Sequence, residues 1–191
     1  MASHAETAPS QQSEFTRTSV MAAFGAWFGF LVGPNAMIAS TNSNFLAVLP
    51  GALGVGPGEL TTALAISAWM VALMVPVSGR MMDRYGVRKV VIPGAILLVI
   101  AFLLFSRMTQ VWHFFALQMF MAIPAAMHCS VGYAKIVSSW FDLRRGTVLG
   151  LCVALGAGVG QTVMPKLSDW MIRSYGWDGG YIGMAAIVGL I

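Results

Sequence analysis

From Val20 to Ile191 the chain consists of long apolar runs separated by short polar connectors. Five runs, at about 20–43, 61–80, 89–107, 111–138 and 145–170, reach the roughly 20 mostly apolar residues that a spanning helix needs. A sixth begins at Trp177 and is still apolar at Ile191, the pattern of a fragment of something longer. Residues 19–191 therefore read as an all-α membrane bundle with its sixth helix truncated. Residues 1–18 are polar and lack a basic stretch ahead of a short apolar core, so they are expected to be a disordered tail and not a signal peptide. Segment 44–60, rich in Gly and Pro with Glu59 its one charge, is expected to be an external loop.

Composition agrees with lipid as the natural solvent. Hydrophobic residues make up 58% of the chain and charged residues 9%, against about 25% charged in a soluble domain. A net charge of +4 is too small to argue for nucleic acid as a partner. Cys129 and Cys152 lie within apolar runs, where a free thiol acts as a small hydrophobe. The GAGVG stretch at 156–160 sits inside a span, which rejects a phosphate loop. Neither a metal-ligand cluster nor a nucleophile–base pair appears, so no cofactor and no enzyme activity are expected. Energy coupling should come from an ion gradient or from exchange.

The charges are sparse but biased. Placing the N-terminus inside puts Arg17, Arg80, Arg84, Arg88, Lys89, Arg144 and Arg145 on the cytoplasmic side, against Arg107, Lys166 and Arg173 opposite. That bias predicts a multi-pass protein of the cytoplasmic membrane with a cytoplasmic N-terminus. Five of the eleven residues of GRMMDRYGVRK (79–89) are charged. Ninety positions later its start has an echo: SGRMMDRYG (78–86) and SDWMIRSYG (168–176) share Ser, Met, Tyr and Gly. The two would lie on opposite membrane faces, as an inverted repeat requires; chance similarity is the alternative.

Gly79, Asp83, Arg84, Gly86, Arg88 and Lys89 resemble the signature G-x-x-x-D-R-x-G-x-R-K of the major facilitator superfamily. The resemblance implies the six-helix N-terminal half of a twelve-helix transporter, built as a 3+3 inverted repeat, with the signature between helices 2 and 3. It also implies that these residues form a conformational latch; the alternative for Arg88 and Lys89 is simple topological anchoring. Asp83 could meet a helix N-terminus or an Arg, contacts that contribute about 0.3–1 kcal/mol when exposed. Gly79 would admit a close helix, and Gly86 suits a turn with positive φ. SSWFDLRRGTVLGL (138–151) resembles the helix 4–5 junction of the monocarboxylate and oxalate/formate-type branch. SYGWDGGY (174–181) is similar to that branch's G-W-R-x-x-Y, with Asp178 in the usual Arg position.

In this fold helices 1 and 4 line the central cavity, so their polar residues are the substrate-binding candidates. Phe28, Asn35 and Asn42 fall on one face of helix 1, beside the Gly33–Pro34 step. His128 and Lys135 share a stripe of helix 4 with Met121, Ala125 and Gly132. An ionisable group at mid-membrane costs about 2.5–3.5 kcal/mol and is expected to face protein or a watery cavity. Two potential cations on one face would attract an anion. The alternatives are a snorkelling Lys135 and a packing His128. Gln161 is a weaker candidate. On helix 5 Gly146, Gly150, Ala154 and Gly158 recur every four residues, and Gly156 and Gly160 form a second pair, as at a close helix interface.

Together these features lead to the expectation of a secondary transporter of a small organic anion, monocarboxylate-type, by alternating access with proton coupling or exchange. Its partners would be that anion, protons, lipid and the missing C-terminal half. A membrane-embedded sensor or interaction module of the same fold is the alternative. An intramembrane enzyme using His128 or His113 is disfavoured because no second catalytic group accompanies either.

Overall fold

The computed structural model describes residues 16–33, 37, 38, 40–141 and 144–190, and all regular elements among them are helices. Residues 1–15, most of the expected tail, lie outside this set, as does Asn35.

The first span is two pieces, α1 (Arg17–Val32) and α2 (Ser40–Leu53). The helix stops at Gly33, whose ψ of 164° is extended, the conformation favoured before a proline. Chain 44–53, expected as loop, belongs to the second piece of this span. Its Gly and Pro content suggested a loop, yet Phe45 and Leu49, one turn apart, are fully buried.

The second span, α3 (Pro57–Tyr85), opens on a proline whose missing N–H costs nothing in a first turn. Only Gly86 separates it from α4 (Val87–Phe105). The fourth span is also broken: α5 (Val111–Met127) gives way at His128–Cys129 to α6 (Ser130–Trp140). The fifth and sixth spans form one continuous element, α7 (Arg145–Gly189), kinked at Gly176. Four stretches, 57–85, 87–105, 111–140 and 145–189, are long and apolar enough to cross a membrane. With the broken first span and the kink in the last, the described residues form six helical spans.

The echo in the sequence is also structural. Gly86 has φ 87° and ψ 150°, and Gly176 has φ 78° and ψ 174°. Both lie in a region that essentially only glycine occupies. Ser78 and Ser168, at the other end of the echo, are both buried. Packing repeats in the same sense: α1 lies against the first part of α7, and α3 against α5.

Two cores hold the bundle. In the larger, Tyr181 stacks on Phe45 at 3.8 Å and on Phe105 at 5.1 Å, and Phe105 meets Phe114 edge-on at 5.8 Å. The first, third, fourth and sixth spans thereby share one aromatic cluster, each pair contributing about 0.5–1.5 kcal/mol beyond its buried area. The smaller core joins Ala26, Phe30, Tyr133, Val137, Phe141 and Cys152 near the signature end. There Gly29 leaves room for the Tyr133 ring, which a Cβ at that position would overlap.

Candidate functional site

The charged signature sits where α3 ends and α4 begins. Asp83 occupies the last turn of α3, and its Oδ1 accepts a hydrogen bond from Lys135 Nζ of α6 at 2.5 Å. Backbone geometry explains the meeting. Gly132, one turn before Lys135, is packed so closely on Met82 that a Cβ would lie 2.9 Å from the sulfur. Loss of that side chain lets α6 close on α3 and brings Lys135 level with Asp83. Both groups remain wet, 36% and 67% exposed, so the pair contributes only about 0–1 kcal/mol.

This pairing changes the sequence expectations for both residues. Asp83 meets a lysine of the fourth span, not a helix terminus or an arginine, because register and not the loop charges selects its partner. Lys135 is engaged by a carboxylate, so the two-cation stripe becomes a near-neutral one with His128 alone. Arg84 lies 5.3 Å from the Tyr85 ring centroid. Arg88 is exposed on the first turn of α4. Gly79 has open space at its Cβ position, so no helix among the described residues uses the close approach it offers.

His128 closes α5, its backbone N–H bonded to the Pro124 carbonyl at 3.0 Å. The side chain is 8% exposed and its Nδ1 is enclosed without a partner. Gly94 of α4 faces it: a Cβ there would lie 2.8 Å from Nδ1. His128 and Tyr133 form part of the floor of a groove of roughly 750 Å³ between α1, α4, α6 and the end of α7, with Arg88 and Phe28 also lining it. Its walls are mostly aliphatic.

The remaining candidates stand apart. Asn42 is half-buried on α2 and Gln161 is exposed on α7. Among the described residues these positions and Lys135 are not gathered into one pocket. The helix 5 stripe has no helix packed on it among the described residues. Gly146, Gly150, Ala154 and Gly158 are exposed, and Gly146, Gly150 and Gly158 have open space at Cβ. It is the second pair, Gly156 and Gly160, that is buried, with Gly156 seated 2.7 Å from the Trp27 carbonyl oxygen by the same measure. Both sets repeat every four residues, and spacing alone does not say which faces inward.

Asn44 is a polar residue that the sequence did not single out. Its Nδ2 donates to the Pro165 carbonyl and to Ser168 Oγ, both at 2.7 Å, while Ser168 Oγ also donates to the Pro165 carbonyl at 2.9 Å. This neutral knot ties α2 of the first span to the fifth. The one available signal was Ser168, a matching position of the echo.

A family model of the Major Facilitator Superfamily matches residues 21–191. The chain belongs to the major facilitator superfamily. It is a multi-pass membrane protein of that transporter family. Similar relatives include a multidrug resistance protein, MdtL, of Klebsiella pneumoniae, 28% identical over 73% of this chain and 36% of the relative. An "MFS-type transporter" of Gibberella moniliformis is 27% identical over 63% of the chain and 29% of its own length. Monocarboxylate transporter 13 of Bos taurus is 26% identical over 59% of the chain and 26% of its own length. The matches thus span about a third or less of these major facilitator relatives.

Proposed function

We propose that the chain is the N-terminal bundle of a secondary active transporter that moves a small organic anion, monocarboxylate-type, by alternating access. The Lys135–Asp83 pair carries this reading. A carboxylate arriving from solution is chemically equivalent to the Asp83 side chain, and the pair is exposed enough for one to replace the other at small cost. The same cation then serves as latch when bound to Asp83 and as anion ligand when released. Asn35, Asn42, His128 and Gln161 are the further candidates for the wall of the path. Gly79, Arg84, Gly86 and Arg88 complete the latch on the cytoplasmic side, where the Lys and Arg bias puts the signature. The exposed Gly146, Gly150, Ala154 and Gly158 stripe suits close contact with a second six-helix half, in keeping with relatives about three times the matched length. Resemblance to the monocarboxylate branch and the Bos taurus relative support the substrate class.

Efflux of a larger apolar compound is the second reading. It is favoured by the aliphatic groove and by relatives named as multidrug resistance and efflux proteins. Uptake by the full-length protein in proteoliposomes separates the two. Radiolabelled lactate and formate should accumulate, with weaker apparent affinity after Lys135→Ala. Transport of a cationic dye without either carboxylate would favour efflux, and movement of none of them would overturn transport of both kinds.

A further inference from the structure

One wall of the groove between α1, α4, α6 and the end of α7 is shorter than the rest. α7 bends at Gly176, and its second part, Trp177–Gly189, has thirteen residues. At 1.5 Å per residue that is about 20 Å, against a hydrocarbon core of about 30 Å. By comparison α4 has 19 residues and α3 has 29. Val188, Gly189 and Leu190 form one end of the groove, while its α4 wall runs on from Val99 to Val87.

Contacts between α4 and α7 give the direction in which further turns would run. Tyr181 lies against Phe105 and Phe102, and a Cβ at Gly189 would lie 3.8 Å from Val99. The two helices are therefore antiparallel, and each residue added after Gly189 falls opposite an earlier one in α4. Val99 and Arg88 are eleven positions apart, so a helix continued from Gly189 reaches the level of Arg88 about nine residues after Ile191. Counted from Trp177, that span has about 24 residues, within the roughly 17–25 of membrane helices.

The walls suit a helix as occupant. Ile92 and Ile96, each 57% exposed, line the α4 side one turn apart. Gly25 of α1 has open space at its Cβ position, which permits close helix contact in lipid. Arg88 lines the far end, and neither ion pair between described side chains engages it. The last four carbonyls of a helix lack partners within it, and a cation beside them is favoured.

We propose that the groove is the seat of the remaining turns of the sixth span, supplied by the chain after Ile191, and that Arg88 caps the C-terminal end of that helix. Relatives about three times the matched length provide for such a continuation. A groove filled in this way is closed to cargo, and the efflux reading then rests on the named relatives alone. Arg88 gains a static role within one bundle, separable from the latch at Asp83.

Disulfide trapping in the full-length protein, with Cys129 and Cys152 replaced by Ala, tests the seat. Ile96→Cys or Ile92→Cys is combined with a single Cys at each of the ten positions after Ile191, and mild oxidation is followed by mass spectrometry. Ile96→Cys should couple at the first one or two of these positions and Ile92→Cys about one turn later. No coupling at any of the ten overturns the seat. So does labelling of Ile92→Cys by an aqueous maleimide that lactate or a cationic dye blocks, because the groove is then a cargo path. Arg88→Gln should lower the melting temperature by about 1–4 °C and Arg88→Lys should not; equal losses remove the capping role. The trapping uses no substrate, so a protein that moves neither lactate nor dye can still confirm the seat while the transport reading fails.

Discussion

Lys135 reaches across from the fourth span to hold Asp83 of the second at 2.5 Å, joining the two three-helix units at the signature end. The contact is wet, so its contribution to stability is small, about 0–1 kcal/mol. Its consequence lies in motion. Asp83→Asn is expected to leave the melting temperature within a few degrees of wild type while slowing lactate turnover in proteoliposomes several-fold. Unchanged turnover in a well-folded Asp83→Asn protein would remove the latch role. A double-mutant cycle with Lys135→Gln should give a coupling below about 1 kcal/mol.

The paired glycines invite a sharper test. Gly86 and Gly176 both adopt backbone angles that cost other residues about 1–3 kcal/mol. Gly86→Ala and Gly176→Ala should each lower thermal stability by that amount. Substitution of Gly25, which has open space around it and ordinary helical geometry, should change stability by about 0.5 kcal/mol or less.

The two echoed serines should behave differently. Ser168 Oγ takes part in the knot with Asn44 and Pro165, whereas Ser78 Oγ has no protein partner. Ser168→Ala, like Asn44→Ala, is expected to cost about 1–3 kcal/mol by stranding buried polar atoms. Ser78→Ala should be close to neutral. Equal losses at both serines, read from unfolding in detergent, would contradict the hydrogen-bond assignment.

The two glycine sets of the fifth span can also be separated. A Cβ at Gly156 meets the Trp27 backbone and cannot be accommodated by a side-chain shift. Gly156→Ala should destabilise the bundle by about 1–3 kcal/mol. Gly150→Ala should leave bundle stability intact. If Gly150→Leu then impairs transport by the full-length protein without loss of folding, the exposed stripe is a working interface.

How much of this was legible in the sequence depended on the kind of feature. Span order followed from the length of apolar runs, because a bilayer sets one length scale. The break at Gly33 was announced by Pro34. The break at His128–Cys129 was not, because the nearest proline, Pro124, lies four residues earlier within α5. The helical character of 44–53 was masked by its Gly and Pro, while the aromatic core that orders it comes from residues more than fifty positions away. Partner choice was least legible. Lys135 finds Asp83 through the closeness of Gly132 to Met82, a matter of three-dimensional register that no local pattern encodes.

The ties at the two ends of the bundle differ in chemistry. Away from the signature the spans are joined by the part-buried, uncharged knot of Asn44, Pro165 and Ser168; the Asp169–Arg173 pair near it lies within one helix and joins nothing. At the signature end the tie is ionic and open to water. Dissolved ions screen exposed charges over about 8–10 Å at ordinary ionic strength, and they act little on a knot that carries no charge. The protein is therefore sided in its response to electrolyte: salt in the compartment that bathes Asp83 loosens a joint, and the same salt across the membrane does not.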